Sequence, residues 1–421
     1  MIGKAPRAAF GTGAMGAEDC RTADQPAPGL WVLAVLCLLL AFAAISTDVY
    51  LPAMPAMARS LGAGHGAIEY TISGYLGGFA FGQLFWGPVG DRYGRKRPVA
   101  AGLVLFVIGA AGCALARSVE LLILARVIQA LGASAGVVLA RAMVRDLYAG
   151  DRAARMLSTL MAVMAIAPMI GPLAGGAILL HWGWRAIFVL LVGVGLFALA
   201  ALFTLPETFP PERRSGEGLG RAFAAYGTLL KSRRLLGFAG VGTCYYAGTF
   251  AFIAGSPAVY IGYYHVEPQH YGWLFAISIV GIMAANFANV RLVPRFGSER
   301  LMRLGGVVAV TSGLLVGAVA VTGFGGLQAL VAALFLFVAT AGFIIANSIA
   351  GALGSYPRQA GAVSAMVGAA QYGGGIAGSG LVGLLTDGTP RALGLVIAGS
   401  GVGTVLCLLL VVSPSPSRPA A

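Results

Sequence analysis

Three ionisable side chains, Asp48, Glu69 and Arg126, stand inside or at the edge of long apolar runs in this chain of 421 residues. A charge held in such a run costs roughly 2.5–3.5 kcal/mol even on lenient insertion scales, which makes each a functional candidate. Their chemistries differ. A carboxylate withdrawn from water holds its proton more tightly, so Asp48 is suited to bind and release a proton near neutral pH; a cap in water at a helix end is the alternative. Arg126 stays charged and cannot carry a proton. It can set the field that a neighbouring carrier feels and donate hydrogen bonds to a substrate or a backbone carbonyl, unless it merely reaches for the membrane surface. Gln129, three residues on, shares its helix face. Glu69 begins a span and reads as an interface residue.

A second kind of chemistry is written between residues 87 and 98, GPVGDRYGRKRP. Arg92, Arg95, Lys96 and Arg97 can anchor a loop on one membrane face. Anchoring has no use for Asp91, nor for Gly87, Gly90 and Gly94, so the cluster is expected to make specific contacts as well. A third pattern is aromatic. Tyr75, Phe79 and Gln83 recur every four residues on a stripe beside Gly74, Gly78 and Gly82. Tyr245, Tyr246 and Phe250 repeat the theme, and the amides Asn286, Asn289, Asn347 and Gln371 appear beside Tyr372. With Tyr50 and Gln129 these residues make up the expected substrate cavity. Aromatic walls with a few uncharged hydrogen-bonding groups suit apolar or weakly polar drug-sized molecules; packing against lipid is the alternative for each ring. No Arg/Lys pair is expected to face the cavity from both sides, which argues against organic-phosphate exchange.

The elements that must position these residues follow from composition. Hydrophobic residues make up 58% of the chain and charged ones 10%, against about a quarter charged in soluble proteins. With roughly 20 apolar residues per helical span, twelve spans are predicted. They begin near Leu30, Ile68, Pro98, Leu121, Met156, Trp184, Leu236, Tyr271, Leu301, Leu327, Gln359 and Arg391. The first run leads into STDVYLP without a small-x-small cleavage pattern, so it reads as a retained helix rather than a signal peptide. Spans seven to twelve hold no ionisable residue except Arg291 and Arg391 near their ends, which puts the coupling chemistry in the first half.

The polar stretch 206–235 divides the spans six and six. The expected organisation is a tail over 1–28, a six-helix bundle over 29–205, a cytoplasmic linker over 206–235, a second six-helix bundle over 236–412 and a tail over 413–421. Both tails, rich in Ala, Gly, Pro and Ser, read as disordered. A shift of 203 residues lays Gly171 on Gly374 and Gly175 on Gly378, and lays DRYGR (91–95) on PRFGS (294–298). Two pseudo-equivalent bundles around a midplane cavity are the layout of secondary transporters. Small residues four apart allow close helix contact, and static packing accounts for most of the 63 glycines. Pro168 and Pro172 lie inside the fifth span, where each removes a backbone hydrogen bond and bends the helix; together with Gly171, Gly175 and Gly176 they form a candidate hinge.

The net charge of +13 suggests nucleic acid until the cations are placed. With both termini in the cytoplasm, 23 of the 28 Lys/Arg fall in connections on that side, as the positive-inside rule requires. Nucleic-acid binding would need them on one exposed domain. Cys20, Cys37, Cys113, Cys244 and Cys407 show no C-x-x-C pair, so neither a disulfide framework nor a zinc site is implied. His65, His181, His265 and His270 read as surface residues of outer loops.

The stretch GPVGDRYGRK resembles motif A of the major facilitator superfamily, which joins spans two and three. RVIQALGASAG (126–136) resembles the fourth-span motif with its buried arginine, and APMIGPLAGG (167–176) the antiporter motif of the fifth span. STDVYLPAMP (46–55), FGQLFWGPVGDRYGRK (81–96), ETFPPERR (207–214) and SPAVYIGYYHVEPQHYGWLFAISIV (256–280) are similar to the bicyclomycin-resistance, or Bcr/CflA, group of drug:proton antiporters. The resemblance covers nearly the whole chain. It implies an all-α membrane protein of twelve transmembrane helices in two pseudo-symmetric six-helix bundles. It also implies a latch for the outward-facing form, in which Asp91 caps the start of the eleventh helix and Arg95 pairs with Asp146. The second-half copy has Pro294 in place of Asp91, so the latch would be one-sided. Some related transporters carry a second carboxylate about two turns before Asp48; Leu40 stands there.

The expected function is proton-coupled multidrug or antibiotic efflux by alternating access, with Asp48 and Arg126 coupling the proton. The alternative is a proton-coupled transporter of one metabolite, an amino acid or a sugar, which would show narrow, saturable specificity. An enzyme is not expected: no metal-ligand cluster, no nucleophile beside a base and no phosphate loop is present. The expected setting is the bacterial inner membrane, as a monomer, with protons and a small hydrophobic or weakly polar molecule as partners, and no cofactor or nucleic acid.

Overall fold

The computed structural model describes residues 30–412, apart from positions 65, 149, 214–226, 228, 230, 231, 355, 357 and 358. The expected tails, most of the linker, Cys20, His65, Arg358 and Arg418 lie outside the described residues.

The apolar runs form twelve long helices, with starts close to the predicted ones. The first six are α1 (Leu30–Asp48), α2 (Tyr70–Tyr93), α3 (Lys96–Leu115), α4 (Val119–Leu147), α5 (Gly150–Trp182) and α6 (Trp184–Phe203). The second six are α7 (Arg233–Pro257), α8 (Pro268–Phe296), α9 (Ser298–Thr322), α10 (Gly326–Ala339, continued by Ala341–Gly354), α11 (Ala360–Leu385) and α12 (Arg391–Val412). A 3-10 turn (Leu51–Ala53) and a short helix (Met54–Ser60) extend α1, and a π turn (Ala258–Tyr263) extends α7 beyond Pro257. Ser118 and Ser232 cap α4 and α7, each side chain accepting from the backbone N–H three residues on, as helix starts require.

Packing repeats with the chain. In the first bundle α1 lies on α5, α2 on α4 and α3 on both α4 and α6; in the second, α7 lies on α11, α8 on α10 and α9 on both α10 and α12. The bundles meet along two seams, α2 against α11 and α5 against α8. The 203-residue repeat is visible in the backbone too. Gly94 and Gly297, which the shift superposes, both take positive φ in the links α2–α3 and α8–α9, a conformation that glycine adopts without penalty. The superposed glycines of α5 and α11 also do the same work. A Cβ at Gly175 would collide with the Val49 carbonyl oxygen, and one at Gly378 with that of Ala247.

Ten spans among the described residues are long and apolar enough to cross a membrane, two fewer than the twelve helices. The two that fall short are α2 and α11, the helices that face each other. Their seam glycines and polar groups are met by protein rather than lipid, so neither needs the full apolar composition of a lipid-facing span. α4 runs to Leu147, so Arg141 lies inside a helix rather than in the connection to α5.

Candidate functional site

Arg126 is fully buried in the first bundle, one of the largest side chains so completely enclosed. Its Nη1 donates to the Ser46 carbonyl at 2.9 Å and to Gln129 Oε1 at 2.6 Å. The guanidinium lies between two rings, with Cζ 4.3 Å from the Tyr50 centroid and 4.2 Å from that of Tyr75, so aromatic faces solvate the cation where water does not. Tyr75 is tied back to α1 through its hydroxyl and Ser46 Oγ, 2.6 Å apart, and Tyr50 to Thr71 at 3.1 Å. Ser46, for which the sequence carried no signal, thus holds both the cation and one of its rings.

Asp48 ends α1 and is 5% exposed. Among the described residues no hydrogen bond or ion pair reaches its carboxylate. It lies within electrostatic reach of Arg126 and of Tyr271 and Tyr372 in the second bundle. Gly171 of α5 makes room for it: a Cβ there would stand 3.2 Å from that of Asp48. An acid without a fixed partner, near a fixed cation and facing the other bundle, can gain and lose a proton without breaking any bond.

The rings expected in the cavity come together in part. Tyr75 stacks on Phe79 (centroids 6.2 Å apart), Phe79 meets Tyr372 across the seam (4.7 Å), and Tyr372 meets Tyr246 (5.8 Å) and Phe250 (6.1 Å). Gln83 lies beside Gly368 on the same seam, 2.5 Å from where a Cβ would stand. Four residues do other work. The Tyr245 hydroxyl donates to the Phe337 and Val338 carbonyls, 3.0 Å each, at the break in α10, where the Thr340 N–H and hydroxyl also reach Phe337. Asn347 donates to Asn289 at 2.7 Å and to the Phe343 carbonyl at 2.8 Å, closing both amides inside the second bundle. Gln371 is buried against Gly242 of its own bundle. Asn286 is exposed on α8.

The α2–α3 link is clasped within the first bundle. Arg95 bonds Asp146 at 2.8 Å and Asp91 at 2.7 Å, and lies 4.2 Å over the Phe209 ring. Burial disfavours its charge, and the bonds to Asp146 and Asp91 outweigh that cost, holding its pKa above the ordinary arginine value. Glu207 accepts from the N–H of Arg95 at 2.8 Å and of Lys96 at 3.1 Å, so it caps α3. Lys96 Nζ donates to the Phe203 and Leu205 carbonyls, fastening the end of α6. Losing such a cap costs about 0.5–2 kcal/mol. Glu207→Ala is therefore expected to lower the melting temperature in detergent by a few degrees, with Glu207→Gln retaining part of the loss.

Asp91 is 52% exposed at its side chain, and its partner among the described residues is Arg95. A Cβ at Gly87 on α2 or Gly361 on α11 would meet nothing within 4 Å. The bundles therefore part at the end where the basic links gather. They close toward the opposite, distal end. There Ser73 Oγ and Ser379 Oγ lie 2.7 Å apart, Gly66 abuts Gly383, and Gly272 and Gly176 pack on Leu173 and on Pro268–Gln269. Neighbouring glycines thus serve different contacts, Gly175 within the first bundle and Gly176 across the seam. Pro168 and Pro172 lie inside α5, which runs through both as one helix. Beyond the seal, two clefts of about 460 and 600 Å³ share Pro55 and Arg59.

Comparison with known proteins agrees with this architecture. The Major Facilitator Superfamily family pattern matches residues 36–262, more than half of the chain. The bicyclomycin resistance protein homolog of Haemophilus influenzae is 32% identical, with 79% of this chain and 84% of that protein covered. The chloramphenicol resistance protein of Pseudomonas aeruginosa is 32% identical over 77% of each, and multidrug resistance protein D of Escherichia coli 28% identical over 90% and 95%. Among solved structures, the nucleoside transporter NupG has a TM-score of 0.75 at 14% identity (91% and 100% covered), and the xylose transporter XylE of E. coli 0.68 at 16% (93% and 99%). This chain belongs to the major facilitator superfamily and is a multi-pass membrane transporter, related to proteins named for resistance to bicyclomycin, chloramphenicol and multiple drugs.

Proposed function

We propose that this transporter is a proton-driven exporter of drug-sized molecules in a bacterial inner membrane, with its basic end in the cytoplasm. The observation that carries the reading is Asp48: a buried acid without a bonded partner, near the fixed charge of Arg126 and facing the aromatic cluster that both bundles share. In this scheme Asp48 takes its proton from outside and releases it inside, and the drug leaves by alternating access. With the basic end cytoplasmic, the arrangement described above is the inward-facing one. In the outward-facing form Asp91 would leave its exposed site and cap α11, stabilising that form by about 0.3–1 kcal/mol. Pro168, Pro172 and the neighbouring glycines of α5 would absorb the swivel. The relatives' names, which speak of drug resistance, support the substrate class.

The seam tests the motion. Ser73 and Ser379 lie close enough that cysteines at both positions should oxidise to a disulfide across the distal end. In vesicles with an acidic lumen, the oxidised double variant is expected to stop accumulating chloramphenicol and to recover on reduction. Undiminished accumulation with the bridge in place would rule out opening of this seam.

A further inference from the structure

Arg141 lies inside α4, fifteen residues beyond Arg126 and so roughly 22 Å along the helix. Its Nε is shut off from water with no hydrogen-bond partner. No described carboxylate pairs with it; Asp146, the acid nearest in sequence, is bonded to Arg95. Its charge is felt by Tyr246 and Tyr372, two rings of the second bundle. An arginine that only anchors a helix end would point its guanidinium to water and would not be shielded at Nε.

Hydrogen donors without partners recur nearby: Nε and Nη2 of Arg126, Nε2 of Gln129, Nε of Arg141 and Nε2 of Gln371 are all buried and unbonded among the described residues. A buried donor left unpaired is costly, so a molecule that supplies acceptors is favoured. The fixed charges add to this, since Arg126 and Arg141 stand against the single acid Asp48 at the cluster. We infer that the seam at these rings selects aromatic molecules carrying an anionic or acceptor-rich group, received by Arg141 while the rings lie against Tyr372 and Tyr246, and that it disfavours organic cations.

This rests on the drug-transport reading and narrows it, and a binding assay separates the two. Wild type, Arg141→Gln and Arg141→Lys in detergent at neutral pH are titrated with chloramphenicol (neutral), chloramphenicol succinate (the same scaffold carrying a carboxylate) and ethidium (a cation). Wild type is expected to bind the succinate ester more tightly than ethidium. Arg141→Gln should lose affinity for the ester about tenfold or more, as expected on removing a charge-assisted bond, while holding or gaining ethidium. Arg141→Lys should keep most of the ester affinity. Wild-type preference for ethidium, no change in Arg141→Gln, or an equal loss of all three probes with a lowered melting temperature each overturns the inference. No proton gradient is needed. Binding as expected with no response to a gradient would sink proton coupling and leave this selection standing; gradient-driven transport with the opposite charge preference would do the reverse.

Discussion

Asp48→Asn is expected to abolish gradient-driven accumulation while leaving exchange of labelled for unlabelled drug intact. Asparagine keeps the shape of the side chain and cannot titrate. The carboxylate holds no bond to a described residue, so its removal orphans no partner. Arg126 keeps the Ser46 carbonyl, Gln129 and the faces of Tyr50 and Tyr75. Each pH unit is worth 1.36 kcal/mol per coupled proton, or tenfold in concentration ratio. A two-unit gradient therefore supports a ratio of up to about a hundredfold per proton, and the variant should fall to the level of empty vesicles. Asp48→Glu should recover part of the response. If Asp48→Asn still concentrates chloramphenicol when the lumen is acid, the proton travels by another group.

The second large effect is in packing. Gly175→Ala places a methyl group on the Val49 carbonyl, and Gly378→Ala places one on that of Ala247. Both obstacles are backbone, which cannot rotate aside as a side chain would. Each substitution is therefore expected at or beyond the top of the overpacking range, roughly 3 kcal/mol or more, with melting several degrees lower in detergent. Gly193→Ala on α6, where a Cβ would meet nothing within 4 Å, is the control and should melt at the wild-type temperature or slightly above it. Equal melting temperatures for all three would mean that the bundles do not rely on backbone contact at α1–α5 and α7–α11.

The helices were legible because their signal, a long run of apolar residues, is local and redundant. The repeat was legible because glycine is demanded twice by the same geometry, at Gly94 and Gly297 in the links and at Gly175 and Gly378 in the contacts. What escaped has a common cause. Tyr245 and Tyr246 are neighbours of one type, and only the position of α10 decides that the first is spent on broken-helix carbonyls while the second joins the cluster. Asn289 and Asn347 satisfy each other across 58 residues, a pairing invisible in either helix alone. Arg141 lies past the point where the apolar content of α4 fades, and the helix continues there on contacts with its neighbours.

The modest apolar content of α2 and α11 has a consequence for how the chain is made. A segment that partitions weakly into lipid gains little by leaving the translocon alone, so α2 needs α1 and α4, and α11 needs α7, as early companions. The stripe of α2 that finally meets α11 must wait until nearly the whole polypeptide has left the ribosome. Until then it presents Ser73 and Gln83 to the bilayer, where their polar groups gain nothing. Assembly of this protein therefore ends where its working cycle begins, and a nascent chain truncated before α11 would be the form most exposed to membrane proteases.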